Sequence, residues 1–456
     1  MKKIKFYWET KPIESLLIIG FLARLIAVFF SRGFGMFDDH FLVIESAQSW
    51  VDGTDYNDWL PWSPGNSGPT GHSFLYSGIH FVLFYLMKLL YIQDAQIKMV
   101  IIRLLHALWS LLVILYSYKI TQKISNEKNA RSVGLLMALY WFFPWISVRN
   151  LVEVVIIPLL IWALWILIKN NDNKKFSGKL ILAGILLGLA FSIRFQSALF
   201  IIGVGLALLI LKNWRAIIGI IIGFILTTLI FQGLVDWLLW GKPFSEMRVY
   251  IQYNIDHSKD YIVSSWYTYL LLIGGILIPP VSIMIFSGFI STWRKHILIF
   301  LPTFIFLLFH SIFPNKQERF ILTIIPFIIL LGIIGWNEIA DKIHFIKKSK
   351  KLFNYFWVFF WIINLILLPI VSSHYSKRAR IEAMRYISGY LKNEKDKLKY
   401  DTTYFLLTEN SNASSSVLPP EFYLEHWIKS YDVNINCSID SIYNSFVIRG
   451  EQFTPR

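Results

Sequence analysis

The sequence holds a single cysteine, Cys437, among 456 residues. That excludes an internal disulfide framework and any site built on several thiolates. Charge is also scarce: charged residues make up 16% and hydrophobic residues 55%, whereas soluble domains carry about a quarter charged. An ordinary soluble enzyme is excluded on this balance. A mean hydropathy of +0.52 excludes intrinsic disorder, which needs low hydrophobicity. No glycine-rich phosphate loop follows a strand-like run, which argues against a nucleotide-sugar enzyme with a Rossmann-like domain. No His/Asp/Glu spacing has the form of a closed metal site, so neither a metal nor another cofactor is expected. There is no internal repeat of fixed period. Acidic residues are short as well, 29 against 44 basic, for a net charge of +15. Among long apolar runs such a surplus reads as membrane topology before it reads as a nucleic-acid footprint, and no nucleic-acid partner is expected.

What is abundant is apolar length. A helix needs about 20 mostly apolar residues to cross the hydrocarbon core. Candidate runs lie at 13–31, 74–92, 97–119, 131–147, 151–168, 179–193, 196–211, 215–235, 267–291, 296–313, 320–337 and 353–371. The 18 Trp suit interface belts. The first run lacks a small-residue cleavage site and reads as an uncleaved anchor. Nearly half of the 44 Lys and Arg fall in six short segments, 1–12, 119–131, 169–179, 212–215, 292–296 and 338–352, which the positive-inside rule places in the cytoplasm. The runs between them then cross in pairs, except that three lie between the first two basic segments. The odd one is 74–92, which follows a Pro/Gly-rich stretch and carries His80, Tyr85 and Lys88. It is expected to lie along the outer membrane surface, or to dip in and return.

The expected fold is therefore an all-α polytopic membrane protein with about 11 transmembrane helices. Membrane-parallel helices occupy the first outer loop, 32–96, within a membrane domain over 1–371. A small polar C-terminal domain at 372–456 lies outside. It has a helical stretch near 378–393 and a Ser/Asn loop at Asn410–Ser416. The remaining outer connections are the turns near 148–151 and 194–195 and the segments 236–266 and 310–319.

Candidate chemistry concentrates on that outer face. Asp38 and Asp39 sit among aromatics just after the first span. Desolvation and like-charge proximity raise carboxylate pKa values, which suits a general base. Glu45 lies six or seven positions on and would share their face on an amphipathic interfacial helix. Arg149 and Glu153, four apart between two apolar runs, could neutralise each other on one helical face, yet ionisable groups inside membrane segments are functional candidates by default. Arg24, Arg103 and Arg194 are equally open, as functional groups or as side chains snorkelling to headgroups. Lys316 and Arg319 lie outside against the charge bias, which suggests an anionic ligand such as phosphate. Aromatic and polar residues interleave over 236–266, as on carbohydrate-facing surfaces and equally as in interface anchors.

Taken together these motifs resemble the polyprenyl-linked (C-type) membrane glycosyltransferases. They look most like mannosyltransferase family 22, which includes enzymes that extend dolichol-linked oligosaccharides and GPI anchors. The run from Asp38 through Glu45 to Gln48 is similar to that family's D-E-x-F-Q-x-x-E-P-A-H, with Asp39 where the family has Glu. His72-Ser73-Phe74-Leu75-Tyr76-Ser77 resembles R-S-x-L-Y-P, and Arg103-Leu104-Leu105 an R-L-L helix start. Arg149 to Glu153 echoes T-R-T-L-S-N-S-L-E. Trp240-Gly241-Lys242-Pro243 through Tyr253-Asn254-Ile255 resembles Y-G-K-W…Y-N-V, and Asn315 to Phe320 resembles H-K-E-E-R-F.

The resemblance implies a transferase that moves a hexose, mannose by family, from a polyprenyl-phosphate donor to a lipid-linked or surface glycan with inversion and without a metal. Asp38 would be the base, with Asp39 beside it. Lys316 and Arg319 would bind the donor phosphate. Glu45, Glu153, His72 and Asn315 would line the acceptor pocket. The alternatives are a transporter or flippase of lipid-linked saccharides, and a C-type transferase for another sugar such as aminoarabinose. The Lys/Ile/Asn bias leans toward a bacterial inner membrane, with the site on its periplasmic face and membrane lipids around it.

Overall fold

The computed structural model describes residues 7–171, 175–260, 263–394, 419–425 and 427. The Ser/Asn loop, the topology markers Lys2, Lys3, Lys5 and Lys174, and Cys437 lie outside the described residues. The regular structure of the described residues is all helical, with no strand and one isolated bridge, Val263 to Asn315. Each of the twelve apolar runs is helical over most of its length. Among the described residues six helices are long and apolar enough to cross a membrane: Pro12–Phe30, Ala95–Ile124, Val152–Asn170, Trp214–Trp240, Glu318–Lys342 and Lys350–Ser372. Phe74–Leu89, Gly178–Ile193, Phe195–Ile210 and Ile297–Ile312 are shorter apolar helices.

Two runs that hydropathy draws as single spans are broken. In 267–291 the helices Thr268–Ile276 and Val281–Ser291 bend by 118°. Pro279 and Pro280 are the cause, because neither has an N–H and each ring clashes with the preceding turn. The Ile276 carbonyl at the break accepts from the Tyr140 hydroxyl and from Trp141 Nε1 at 3.2 Å. Run 131–147 divides into Glu127–Leu139 and Phe143–Ile146, with Pro144 placed to clash with the Tyr140 carbonyl four residues back.

Freed backbone groups inside an apolar bundle must find partners, and two buried side chains supply them. Asn364 accepts from Trp141 N and donates to Leu139 O, both at 2.8 Å. Arg24 donates to Met137 O and Ala138 O at 3.1 and 3.3 Å, and its Nε reaches Ser110 at 2.6 Å. Arg24 is thus a structural clamp, not a snorkelling or catalytic group. Arg103 likewise donates Nε to Val28 O at 2.7 Å.

The core is a close-packed apolar bundle in which the helix Ile325–Lys342 is buried on every side from Ile325 to Trp336. Its tightest neighbour is Val281–Ser291. A Cβ on Gly288 would fall 2.0 Å from Gly332 O, so the two backbones touch as at other small-residue helix contacts. Gly288→Leu is expected to destabilise the protein by roughly 2–3 kcal/mol, read as a fall in melting temperature in detergent.

Two compact units are distinguished. The larger comprises Met1–Gln93 and Ile97–Ser376 and contains every helix above except the first residues of Ala95–Ile124. The smaller comprises Asp94–Gln96 and Lys377–Arg456. Within it are the helix Arg378–Glu394 and a short turn Glu421–Tyr423. Glu425 accepts from Ala95 N at 3.0 Å and pairs with Lys392.

Candidate active site

The long connection 32–73 opens with a segment that is helical from Phe37 to Val51, with a π-helical stretch at His40–Glu45. Most of it is buried, so it does not present one polar face outward. The helix Phe74–Leu89 covers it, with Ser77 Oγ donating to Leu42 O at 2.9 Å and Lys88 Nζ to Val51 O at 2.7 Å. The wider π turn changes the register after Asp39. Glu45 therefore does not join the acidic pair. It is fully buried and pairs with His40 Nε2 at 2.9 Å.

Asp38 and Asp39 meet partners from three distant connections. Arg319 Nη2 lies 2.5 Å from Asp38 Oδ2, its Nη1 3.4 Å from Asp39 Oδ2, and its Nε 3.7 Å from Glu153 Oε1. Arg194 Nη2 lies 2.9 Å from Glu153 Oε1. Three carboxylates and two guanidiniums thus form one network drawn from 38–39, 153, 194 and 319. The Phe320 ring lies near both guanidinium carbons, at 5.5 Å from Arg194 and 5.7 Å from Arg319.

The two aspartates differ in exposure. The Asp38 side chain is 55% exposed and that of Asp39 only 7%. Burial pushes the Asp39 carboxyl up to about 7, Glu153 adds to the rise, and Arg319 opposes it. His72 lies in the field of Arg194, Asp38 and Arg319, and burial and then Arg194 hold its imidazole down at about 4, so it is neutral.

Other expected members are placed elsewhere. Lys316 Nζ donates to three carbonyls, His310, Ser311 and Phe313, at 3.3, 2.9 and 2.6 Å. It thereby caps the C-terminal end of Ile297–Ile312, where a cation also suits the helix dipole. Asn315 is buried, its backbone bridged to Val263. Arg149 and Glu153 do not share a helical face, because the helix begins only at Val152. Arg149 instead donates to Arg32 O, Gly33 O, Ser31 Oγ and Ser376 Oγ, at 3.1, 2.6, 2.7 and 3.2 Å. It ties the segment Ser31–Gly33, after the helix Pro12–Phe30, to Ser376, after the helix Lys350–Ser372. The segment 236–266 is largely helical, over Val235–Trp240 and Ser245–Asp256. Among the described residues no group of three or more His, Cys, Asp or Glu is placed to hold a metal ion.

Sequence reasoning gave Arg194 no specific partner, although its place outside against the charge bias was the same signal that marked Arg319. Glu246 carried no signal at all.

Known proteins align with this architecture. The model of the Alg9-like mannosyltransferase family matches residues 15–418. GPI mannosyltransferase 3 of the yeast Debaryomyces hansenii is 24% identical over 409 residues, covering 83% of this chain and 68% of its own. The crystal structure of ArnT from Cupriavidus metallidurans bound to undecaprenyl phosphate aligns with a TM-score of 0.61 at 14% identity, over 91% of this chain and 84% of that one. An oligosaccharyltransferase from Archaeoglobus fulgidus, in complex with Zn and sulfate, aligns at 0.54 and 12% identity, over 90% of this chain and 61% of its own. These two low-identity alignments establish a shared fold. With the family model spanning most of its length, this chain belongs to the Alg9-like mannosyltransferase family and is an integral membrane glycosyltransferase.

Proposed function

We propose that the protein transfers mannose from a polyprenyl-phosphate donor to a hydroxyl of a lipid-linked or surface glycan, at the outer or lumenal face of its membrane. One observation carries this reading. Arg319 and Arg194 supply two cations at an outer cluster whose only half-exposed carboxylate is Asp38. In this reading Asp38 takes the proton from the acceptor hydroxyl. The oxygen attacks the anomeric carbon as the bond to the phosphate oxygen breaks. Polyprenyl phosphate leaves with the electron pair, and the anomeric configuration inverts.

The guanidinium of Arg319, with Arg194 beside it, would hold the donor phosphate and offset the charge that grows on it. Lys316, spent on three carbonyls, would support Arg319 by fixing the connection that carries it. Asp39 and Glu153 would orient the guanidinium, and His72 would face the sugar or the acceptor. Residues 1–371 would form the transferase domain, and residues 372–456 would lie outside the membrane. The yeast relative weighs against a bacterial inner membrane.

Purified protein given radiolabelled polyprenyl-phosphate mannose and a lipid extract should form a labelled glycolipid. Absence of product, with flux of the donor across vesicles, would overturn the reading. A pH dependence follows from Asp39. Its carboxyl is raised toward about 7, so its charge is present above that pH and lost as pH falls through it. Arg319 then loses one of its fixed partners. The transfer rate should fall on the acid side of neutrality, and Asp39→Asn should remove that limb from the profile of kcat/KM.

A further inference from the structure

The segment Gly71–Ser73 has no regular structure of its own, yet its polar groups are taken up by side chains about 160–175 positions later. Glu246 Oε2 accepts from Gly71 N at 2.6 Å and from His72 N at 3.1 Å. Its other oxygen accepts from Trp240 Nε1 at 2.9 Å, and Glu246 N donates to Asp236 Oδ2 at 3.0 Å. Ser73 Oγ accepts from Gln232 Nε2 at 2.6 Å, and that amide also donates to Ser192 O at 3.2 Å. Glu246 and Gln232 are both fully buried. Gly71 has φ +82°, and a Cβ there would fall 3.1 Å from the Tyr250 backbone. The loop is thus pressed against the helix Ser245–Asp256 as well as bonded to it.

We propose that Glu246 is a positioning residue. Its carboxylate pins two successive backbone N–H groups and so fixes where His72 meets the Asp38–Arg319–Arg194 cluster. This rests on the reading of that cluster as the transfer site. A buried carboxylate is costly unless bonded. Here one oxygen takes two N–H bonds and the other an indole N–H, while burial pushes the group up to about 7 against the bond from Gly71. The same helix carries Tyr250, whose ring packs on Phe195 at 5.2 Å between centroids, beside Arg194, and whose phenol lies in the field of Arg194 and Glu153. Ser245–Asp256 therefore borders the site twice, once where Tyr250 packs on Phe195 next to Arg194 and once through the backbone at His72.

Two readouts separate positioning from a bulk effect on folding. With Cys437→Ser removing the native thiol, H72C reports the exposure of that position through its rate of labelling by a maleimide. E246A should speed this labelling at least tenfold, and E246Q, which keeps an oxygen acceptor, should leave it within about twofold of the parent. If E246A does not fold, E246D, one methylene shorter, should give an intermediate rate. In transfer assays, with His72 intact, E246A should raise KM at least tenfold with kcat within threefold, E246Q should restore KM, and E246A should add little to H72A. Unchanged labelling in E246A, or in E246D in its place, would overturn the proposal. So would full additivity of E246A with H72A. The labelling arm needs no sugar donor, so absence of transfer by the parent protein would count against the proposed donor without touching the positioning result.

Discussion

Asp38→Asn should lower kcat for mannosyl transfer by about three orders of magnitude, the middle of the range for loss of a general base, while the protein still inserts and melts at nearly the parent temperature. The small structural cost follows from the side chain's exposure of 55%, since an ion pair in contact with solvent contributes about 0–1 kcal/mol. The amide also keeps an oxygen to accept from Arg319. Asp39→Asn differs in kind. That carboxyl is buried and shares Arg319, and the amide mimics its protonated form, so the variant should stay near the parent's acid-side rate at every pH and lose the acid limb. Undiminished transfer in Asp38→Asn would remove Asp38 from the role of base.

Replacing Arg319 should damage donor handling first. Arg319→Lys keeps a positive charge but loses the planar fork that can meet Asp38, Asp39 and Glu153 together. The donor KM should rise at least tenfold with the acceptor KM within twofold. Arg319→Ala should do more, and it should also destabilise the fold. Removing one partner of a buried ion network leaves charge uncompensated, at a cost of about 3–5 kcal/mol. Steady-state kinetics on the Lys variant and thermal melts on the Ala variant separate the two effects. Equal loss for donor and acceptor in Arg319→Lys would count against the phosphate role.

Why some of this was legible in the sequence and some was not has a physical basis. Apolar length is a property of composition, so the runs that became helices could be drawn directly. The acidic pair and Arg319 stood out because the connections around them are short of charge, and charge placed against a topological bias needs a reason. Glu153 could be named as a candidate but its partner could not. Its neighbour by spacing, Arg149, went to backbone carbonyls of the first loop, and its cations came from 194 and 319. Arg24, Arg103, Arg149 and Arg194 look alike in sequence, each an arginine among apolar residues. Only packing distinguishes a clamp on a broken helix from a member of the ion network. Glu45 was misplaced because an α-helical period was carried through a π turn. Hydropathy was blind to both helix breaks, although Pro144 and Pro279–Pro280 marked where they fall. Glu246 was invisible because it acts on backbone N–H groups that no spacing rule connects to it.

The central claim is that the donor phosphate and the reacting sugar sit on the cluster of Asp38, Asp39, Glu153, Arg194 and Arg319. A structure with a non-transferable phosphonate analogue of polyprenyl-phosphate mannose tests it most directly. The account predicts phosphonate oxygens within hydrogen-bond distance of the Arg319 guanidinium, and the Asp38 carboxylate on the opposite side of the anomeric carbon, with room for one acceptor hydroxyl about 3–3.5 Å from that carbon. Phosphonate density away from Arg319, or a sugar that Asp38 cannot face, would contradict it.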